Sequence, residues 1–344
     1  MMRIQGQKRN KQSSHIALLL FRVFFGTFLF ASSISTLADY NSVKIAFTAD
    51  QGTGDSARSV LQLIADEAAD LLLIQGDLGY NVNSAATWEA NLNSILGANF
   101  PILTVVGNHE NHEWPVYKGF IESRLNRIAD LNCVGNIGVK AVCSFRGIDV
   151  VQVAPGISEV PAVLPDDYYS EYLDNKLNNS VATWKICSWH KNQHLMQVGG
   201  KSNQTGWGVY QSCLAQGAIV ATGHEHSYSR THLMSNFQDP TIIHTNSHMQ
   251  IDKGASIAFV SGLGGHSIRP QLLDNPWWAS VQSATQAATH GVLFCDFASR
   301  YANCYYKDIN GTVQDSFSLE SQLSIQSPPL LLGVLAAITN LLLD

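Results

Sequence analysis

Five short apolar runs, each ending at a polar residue able to hold a cation, constrain this chain more than any other feature. Residues 71–75 show no polar alternation, the mark of a strand buried on both faces. Residues 43–49, 102–106, 184–189 and 218–222 read as further strands. Directly after these runs stand Asp50, Asp77, Asn108, His190, and the pair His224 and His226. Between them come stretches with helical spacing at 56–69 (Val60, Leu63, Ile64, Ala68), 85–96 and 116–128. Such alternation predicts parallel strand–helix–strand units. The carboxyl ends of the strands then converge on one crevice, so six potential ligands from five loops can meet there. Singly, each residue has a plainer reading as a helix cap or an ordinary turn. Their joint occurrence in this order is what argues for a site.

The remaining pattern is mostly β. Residues 139–154 read as strands around the turn Arg146-Gly147, and 242–245, 256–260, 291–298 and 301–307 as later strands. The fold class expected is α/β, with two sheets packed as a sandwich. No repeat and no long linker divides the chain, so residues 39–318 read as one domain. Of 344 residues 45% are hydrophobic, ample for a large core and incompatible with general disorder. Lys and Arg total 21 against 27 Asp and Glu, so no basic footprint exists for nucleic acid.

Both ends read as addresses. Arg3, Lys8, Arg9 and Lys11 precede an apolar stretch at 16–30, and small residues lead to Thr36-Leu37-Ala38. That pattern predicts a signal peptide, residues 1–38, cut after Ala38. Fifteen residues interrupted by Arg22 fall short of the roughly 20 needed to span a bilayer. Removing five of the 21 cations leaves 16 against 27 acids, a net charge near −11. At the other end, 319–344 read as a spacer and a hydrophobic tail. The tail is either a GPI-attachment signal, which would tie the protein to a membrane through a lipid, or a last packed helix. Ser316 or a neighbour would be the acceptor. The localisation expected is secreted or cell-surface, extracellular or periplasmic.

Six cysteines suit an oxidising compartment. Cys133 and Cys143 flank a short loop, and Cys295 and Cys304 flank a hairpin; both separations are easily bridged. Cys187 and Cys213 either pair or remain buried thiols. Sequons at Asn178, Asn203 and Asn310 make the chain a candidate glycoprotein.

Five segments in order, Ala49-Asp50-Gln51-Gly52, Gly76-Asp77-Leu78-Gly79-Tyr80, Gly107-Asn108-His109-Glu110, Cys187-Ser188-Trp189-His190 and Gly223-His224-Glu225-His226, carry a resemblance. They resemble the ordered motifs of the calcineurin-like metallophosphoesterases, and among these the purple acid phosphatases. Most of the superfamily places a metal-binding His where this chain has Gly52; Tyr80, three residues after Asp77, matches the purple acid phosphatase pattern instead. Ala49 and Cys187 depart from the usual Gly and Val, at positions that are not ligands. The resemblance covers roughly residues 43–300 and implies a four-layer α/β/β/α sandwich of two mixed sheets flanked by helices.

Carried over residue by residue, the resemblance implies one metal held by Asp50, Asp77, Tyr80 and His226. A second is implied on Asp77, Asn108, His190 and His224, with Asp77 bridging. Phenolate and carboxylate suit Fe(III), whereas two imidazoles and an amide oxygen suit a divalent ion such as Zn, Fe or Mn. Two metals can clamp the attacking and leaving oxygens of an in-line displacement, with metal-bound hydroxide as nucleophile. The implied activity is that of an acid phosphatase acting on small phosphorylated substrates, with a phosphodiesterase or nucleotidase as the alternative. His109 matches the family histidine that meets the substrate phosphate and serves as catalytic acid, with Glu110 and His112 to orient it. Asn108, His109 and His194 are candidate substrate contacts, as are Lys191 and Arg230. The glycine-rich run from Gly262 to His266 is a candidate pocket rim.

Overall fold

The computed structural model describes residues 42–110, 112–157 and 166–323. The expected signal peptide and the hydrophobic tail from Leu330 lie outside the described residues. Among the described residues, no helix is long and apolar enough to cross a membrane.

The first half alternates as the apolar runs predict. β1 (Val43–Thr48) leads into α1 (Asp55–Asp66), β2 (Leu71–Ile74), α2 (Ala85–Ile95), β3 (Ile102–Thr104) and α3 (Trp114–Leu125). β1, β2 and β3 pair in parallel, and all four residues of β2 are buried because neighbours cover both its edges and both its faces. α1 turns Val60, Leu61, Leu63 and Ile64 inward, the i, i+3, i+4 stripe visible in the sequence. α3 begins two residues before the expected 116 because Pro115 occupies its first turn, where the missing N–H has no partner to lose.

The strands then change sheet. β4 (Leu131–Asn136), β5 (Lys140–Phe145) and β6 (Ile148–Val153) form an antiparallel meander. After α4 (Asp166–Asn178) comes β7 (Trp184–Ser188), and after α5 (Trp207–Ala215) comes β8 (Ile219–Thr222). The remaining strands are β9 (Tyr228–Thr231), β10 (Leu233–Asn236), β11 (Thr241–His244), β12 (His248–Ile251), β13 (Ala258–Ser261), β14 (Trp278–Gln282), β15 (Gly291–Phe297), β16 (Tyr301–Asp308) and β17 (Val313–Ser321). One mixed sheet has the order β12-β17-β16-β15-β1-β2-β3, and the other β14-β9-β13-β8-β7-β6-β5-β4. Phe47 meets Phe259 edge-on, Tyr228 stacks on Tyr306 and Trp184 meets Phe297, so the core lies between the two sheets. α1 and α3 pack on the first sheet, α4 and α5 on the second. This is the expected α/β/β/α sandwich.

The run at 242–245 forms a strand as read: β11 pairs only with β10, at the surface. Two departures from the sequence reading stand beside it. α4 and α5 were not anticipated; α4 contacts β6 and α5 contacts β8. The domain does not end at 318, because β17 pairs with β16 and β12 as far as Ser321, with Leu319 and Ser321 buried. Ser316 therefore sits within a paired strand, opposite Tyr305. All three disulfides form: Cys133–Cys143 across β4 and β5, Cys295–Cys304 across β15 and β16, and Cys187–Cys213 from β7 to α5.

Candidate metal centre

The loops leaving β1, β2, β3, β7 and β8 meet at one edge of the sandwich. Asp50, Asp77 and His224 each take left-handed backbone, with φ of 56°, 54° and 70°. Such angles are uncommon for residues with a Cβ and concentrate at functional sites. They turn the chain sharply at the strand end, so the side chain points back over the sheet edge. Gly107 lets the third loop close down, since a Cβ there would lie 2.2 Å from Oδ1 of Asp77.

Two groups of donors result. In one, the Tyr80 hydroxyl is 3.2 Å from Asp50 Oδ1, 3.4 Å from Asp77 Oδ2 and 3.1 Å from His226 Nε2. His226 Nε2 is itself 3.3 Å from Asp50 Oδ1. In the other, His190 Nε2 is 3.2 Å from Asp77 Oδ1, 3.3 Å from Asn108 Oδ1 and 3.1 Å from His224 Nδ1. Asp77 offers one carboxylate oxygen to each group. All seven expected ligand residues are thus brought together, in the two sets anticipated. The tightest set is Asp77, His190 and His224, whose donor atoms all lie within 4.8 Å of one another.

Outer hydrogen bonds fix how the rings face. His190 Nδ1 lies 2.7 Å from the Gln75 carbonyl, which only accepts, so Nδ1 carries the proton and the Nε2 lone pair faces inward. His224 Nε2 donates to Gln204 Oε1 at 2.5 Å, leaving Nδ1 for the centre, and His226 Nδ1 meets Ser267 Oγ at 2.7 Å. Such partners orient metal-binding imidazoles. Asp50 Oδ2 is buried with no hydrogen-bond partner among the described residues. An orphaned carboxylate oxygen, inward lone pairs and a phenol among carboxylates fit a pair of cations.

The electrostatics point the same way. Burial, then the charges of Asp50, Asp77 and Glu110, push the Tyr80 phenol far above its usual range, so a phenolate here requires a strong cation beside it. Burial would also raise Asp77, but His190 and then His109 outweigh it and hold the carboxyl well below its usual range. Burial lowers His190 while Asp77 more than compensates, pushing it up to about 9, so an ion taking the Nε2 lone pair must displace a proton from it. His224 is driven down by burial and by its neighbours His190 and Lys201.

The other expected residues divide. The His109 ring leans on Tyr80 with centroids 4.3 Å apart, and its Nε2 is 3.9 Å from Asp77 Oδ2. Its side chain is 43% exposed, at the open mouth. Glu110 does not orient it. Instead its buried carboxylate accepts from the backbone N–H of Asp77 (3.0 Å), Leu78 (2.6 Å), Gly79 (3.4 Å) and Gly107 (2.7 Å), clamping two loops together. Burial and the Asp77 charge push its pKa up to about 8 against those amides. His194 bonds the Lys201 carbonyl and, through its backbone N–H, Asn203; among the described residues it makes no hydrogen bond or ion pair with the ligand set. Arg230 is no substrate contact, because it is buried in β9 and bonded to Asp315 at 2.7 and 3.0 Å. The rim from Gly262 to His266 has a definite place: Gly264 N–H and His266 N–H donate to the carbonyls of Ala49 and Asp50, and the His266 ring stacks 3.6 Å above Tyr80. The sequence reading missed Gln75, Gln204, Ser267 and Arg269. Gln75 alone had a signal, as the last residue of an apolar run.

Three comparisons bear on identity. No curated protein matches the chain. Among solved structures, a purple acid phosphatase from yellow lupin seeds (Lupinus luteus) aligns with TM-score 0.61 and 16% identity, covering 85% of this chain. This chain spans only 56% of that protein's length. The inner-membrane-complex anchor GAP50 of Plasmodium aligns with TM-score 0.55 and 12% identity, covering 82% of this chain and 89% of that one. A structure of PhoD follows with TM-score 0.52 and 12% identity, covering 83% and 70%. At these identities the likeness is one of fold. The model of the calcineurin-like phosphoesterase family matches residues 43–228, more than half of the chain and all seven candidate ligands, and the protein belongs to that family.

Proposed function

We propose that this protein is an exported phosphatase of the purple acid phosphatase type, hydrolysing small phosphate monoesters with a dinuclear metal centre. The observation that carries the reading is the Tyr80 hydroxyl, 3.1–3.4 Å from Asp50, Asp77 and His226. A phenol so placed among two carboxylates and an imidazole suits a ferric ion. Asp77, Asn108, His190 and His224 offer the softer set for a divalent ion such as Zn, Fe or Mn. When bound, the two ions supply Lewis-acid charge and a nucleophile drawn from water.

The chain's own residues do the remaining work. Asp77 presents one oxygen to each donor group and so fixes their spacing. Gln75 and Gln204 hold His190 and His224 in one tautomer, Ser267 orients the His226 ring, and Glu110 holds the loops that carry Asp77 and Asn108. His109 stands at the mouth, its ring against Tyr80 and outside both donor groups, where its imidazolium can neutralise a phosphoryl oxygen or protonate the leaving alkoxide. Three disulfides and the leader-like first 38 residues support export.

Metal analysis, a visible spectrum and turnover of phenyl phosphate against bis(4-nitrophenyl) phosphate test the reading together. Expected are two metals per chain, a charge-transfer colour and preference for the monoester. A colourless iron-loaded protein that prefers the bis-ester would replace this reading with a divalent-metal phosphodiesterase.

A further inference from the structure

Beside the candidate metal centre stand two cations that the chemistry above leaves unused. Arg269 is pinned to the loop bearing His224 and His226. Its backbone N–H donates to the His226 carbonyl at 2.9 Å, and its Nη1 donates to the His224 carbonyl at 3.2 Å. The same Nη1 is 3.6 Å from Oε2 of Glu225, a buried carboxylate with no hydrogen-bond partner on either oxygen among the described residues. One edge of the guanidinium is thereby anchored. Its Nε and Nη2 take no hydrogen bond among the described residues.

Lys201 comes from the segment between β7 and α5. Its loop is tied to the Arg269 segment, since the Val198 carbonyl accepts from the N–H groups of Leu272 and Leu273 at 2.7 and 3.0 Å. Gly199 lies so close over Glu225 that a Cβ there would come 2.3 Å from its Cδ. Three residues beyond Lys201, Gln204 holds the His224 ring. The Lys201 carbonyl is fixed by His194 and Gln197, while its ammonium makes no hydrogen bond or ion pair among the described residues. Burial and the Arg269 charge lower the Lys201 pKa, while Glu225, Asp50 and Asp77 act to raise it, so the ammonium lies within the field of the metal-centre carboxylates. The other cations nearby are committed: Lys191 Nζ donates to the Gly156 carbonyl at 3.0 Å, and Arg230 to Asp315.

Arg269 thus has one buried counter-ion, Glu225, and Lys201 has no ion pair among the described residues, which leaves spare positive charge and spare donors at the edge of the site. We propose that they form a second anion subsite, holding the distal phosphoryl group of a substrate that carries two, a bisphosphate or a phosphoanhydride, while the first lies at the metal centre. The proposal rests on the phosphate-ester reading above. A guanidinium edge matches two phosphoryl oxygens in bidentate fashion, and a neighbouring ammonium adds a point charge without that directionality. Glu225 acts as a positioning residue, holding the Nη1 edge of the guanidinium in place.

The test uses the full chain loaded with metal. Calorimetry measures binding of methylenediphosphonate and methylphosphonate to the wild type, Arg269→Gln and Lys201→Gln. Kinetics then gives the ratio of kcat/KM for pyrophosphate to that for phenyl phosphate. Loss of a charge-assisted pair should weaken methylenediphosphonate about tenfold or more relative to methylphosphonate, and lower the kinetic ratio to match. Equal weakening of both probes, or an unchanged ratio, would overturn the subsite. Should Arg269→Gln fail to fold, Lys201→Gln, on a partly exposed side chain, decides the matter by the same measurements. A wild type that hydrolyses no phosphate ester would instead overturn the functional reading, and the difference between the two phosphonates would still decide the subsite.

Discussion

Replacing Glu110 with Gln tests how the loops of the metal centre are held. The carboxylate accepts four backbone N–H groups, two on each oxygen: Asp77 and Gly107 on Oε2, Leu78 and Gly79 on Oε1. A carboxyl oxygen accepts whether ionised or protonated, but an amide nitrogen only donates. Whichever way the Gln side chain turns, two N–H donors face an NH2 group with no water to replace the lost acceptor. Each buried donor left unmatched costs about 1–3 kcal/mol, so the pair should cost about 2–6 kcal/mol. That is a large part of the roughly 5–15 kcal/mol available to a domain, and on the order of 10 °C in Tm for a chain of this size. Urea unfolding of the chelator-treated, disulfide-intact variant measures it. Because the amides of Asp77 and Gly107 adjoin two candidate ligands, zinc affinity should also fall, by about 10–100-fold. A loss below about 1 kcal/mol with unchanged zinc affinity would show that Glu110 is no clamp.

Three further outcomes are expected. Tyr80→Phe, which removes only the oxygen that meets Asp50, Asp77 and His226, should abolish the visible band of the iron-loaded protein while leaving the fold and some hydrolysis; a persistent band would exclude Tyr80 as its source. His109→Ala should retain both metals yet lose about 10²–10⁴ in rate, most for poor leaving groups; loss of metal would place His109 among the ligands. Glu67, at the end of α1, has a depressed pKa: burial opposes ionisation, but Lys307 and Tyr305, bonded to its carboxylate at 2.5 Å, favour it more. Its stabilisation should be present above the ordinary value of 4.5 and lost as pH falls through the lower folded value. Glu67→Gln should therefore cost up to about 1 kcal/mol near neutrality, after solvent screening, and almost nothing near pH 3. An equal cost at both pH values would mean that packing, not charge, explains the residue.

How far the sequence could be read depends on how local each signal is. The runs at 71–75, 184–189 and 218–222 declare themselves because strands covered on both faces are mostly apolar and show no polar alternation to blur the pattern. Their ends in turn locate Asp77, His190 and His224. β11 was legible as a strand but its place was not, since four residues of similar composition can pair at a surface as readily as in a core. Cys187 and Cys213 were undecidable by spacing, since 26 residues and a helix separate them. Gln204, Ser267 and Arg269 had no local signal at all. Each reaches the metal centre from a loop whose path is set by contacts elsewhere, such as Val198 with Leu272 or Arg269 N–H with His226.

The left-handed backbone at Asp50, Asp77 and His224 gives the protein's chemistry and its durability opposite preferences. Glycine would relax each of these three positions by roughly 1–2 kcal/mol, so the residues that make the centre are among the least comfortable in the chain. A laboratory selection for heat tolerance alone would favour their replacement and would return hardy proteins with an empty crevice. Conversely, ions bound by these side chains would stabilise only the folded form, so metal supply should govern how long the protein survives as well as how fast it works. Screens intended to improve it therefore need metal present and turnover as the readout.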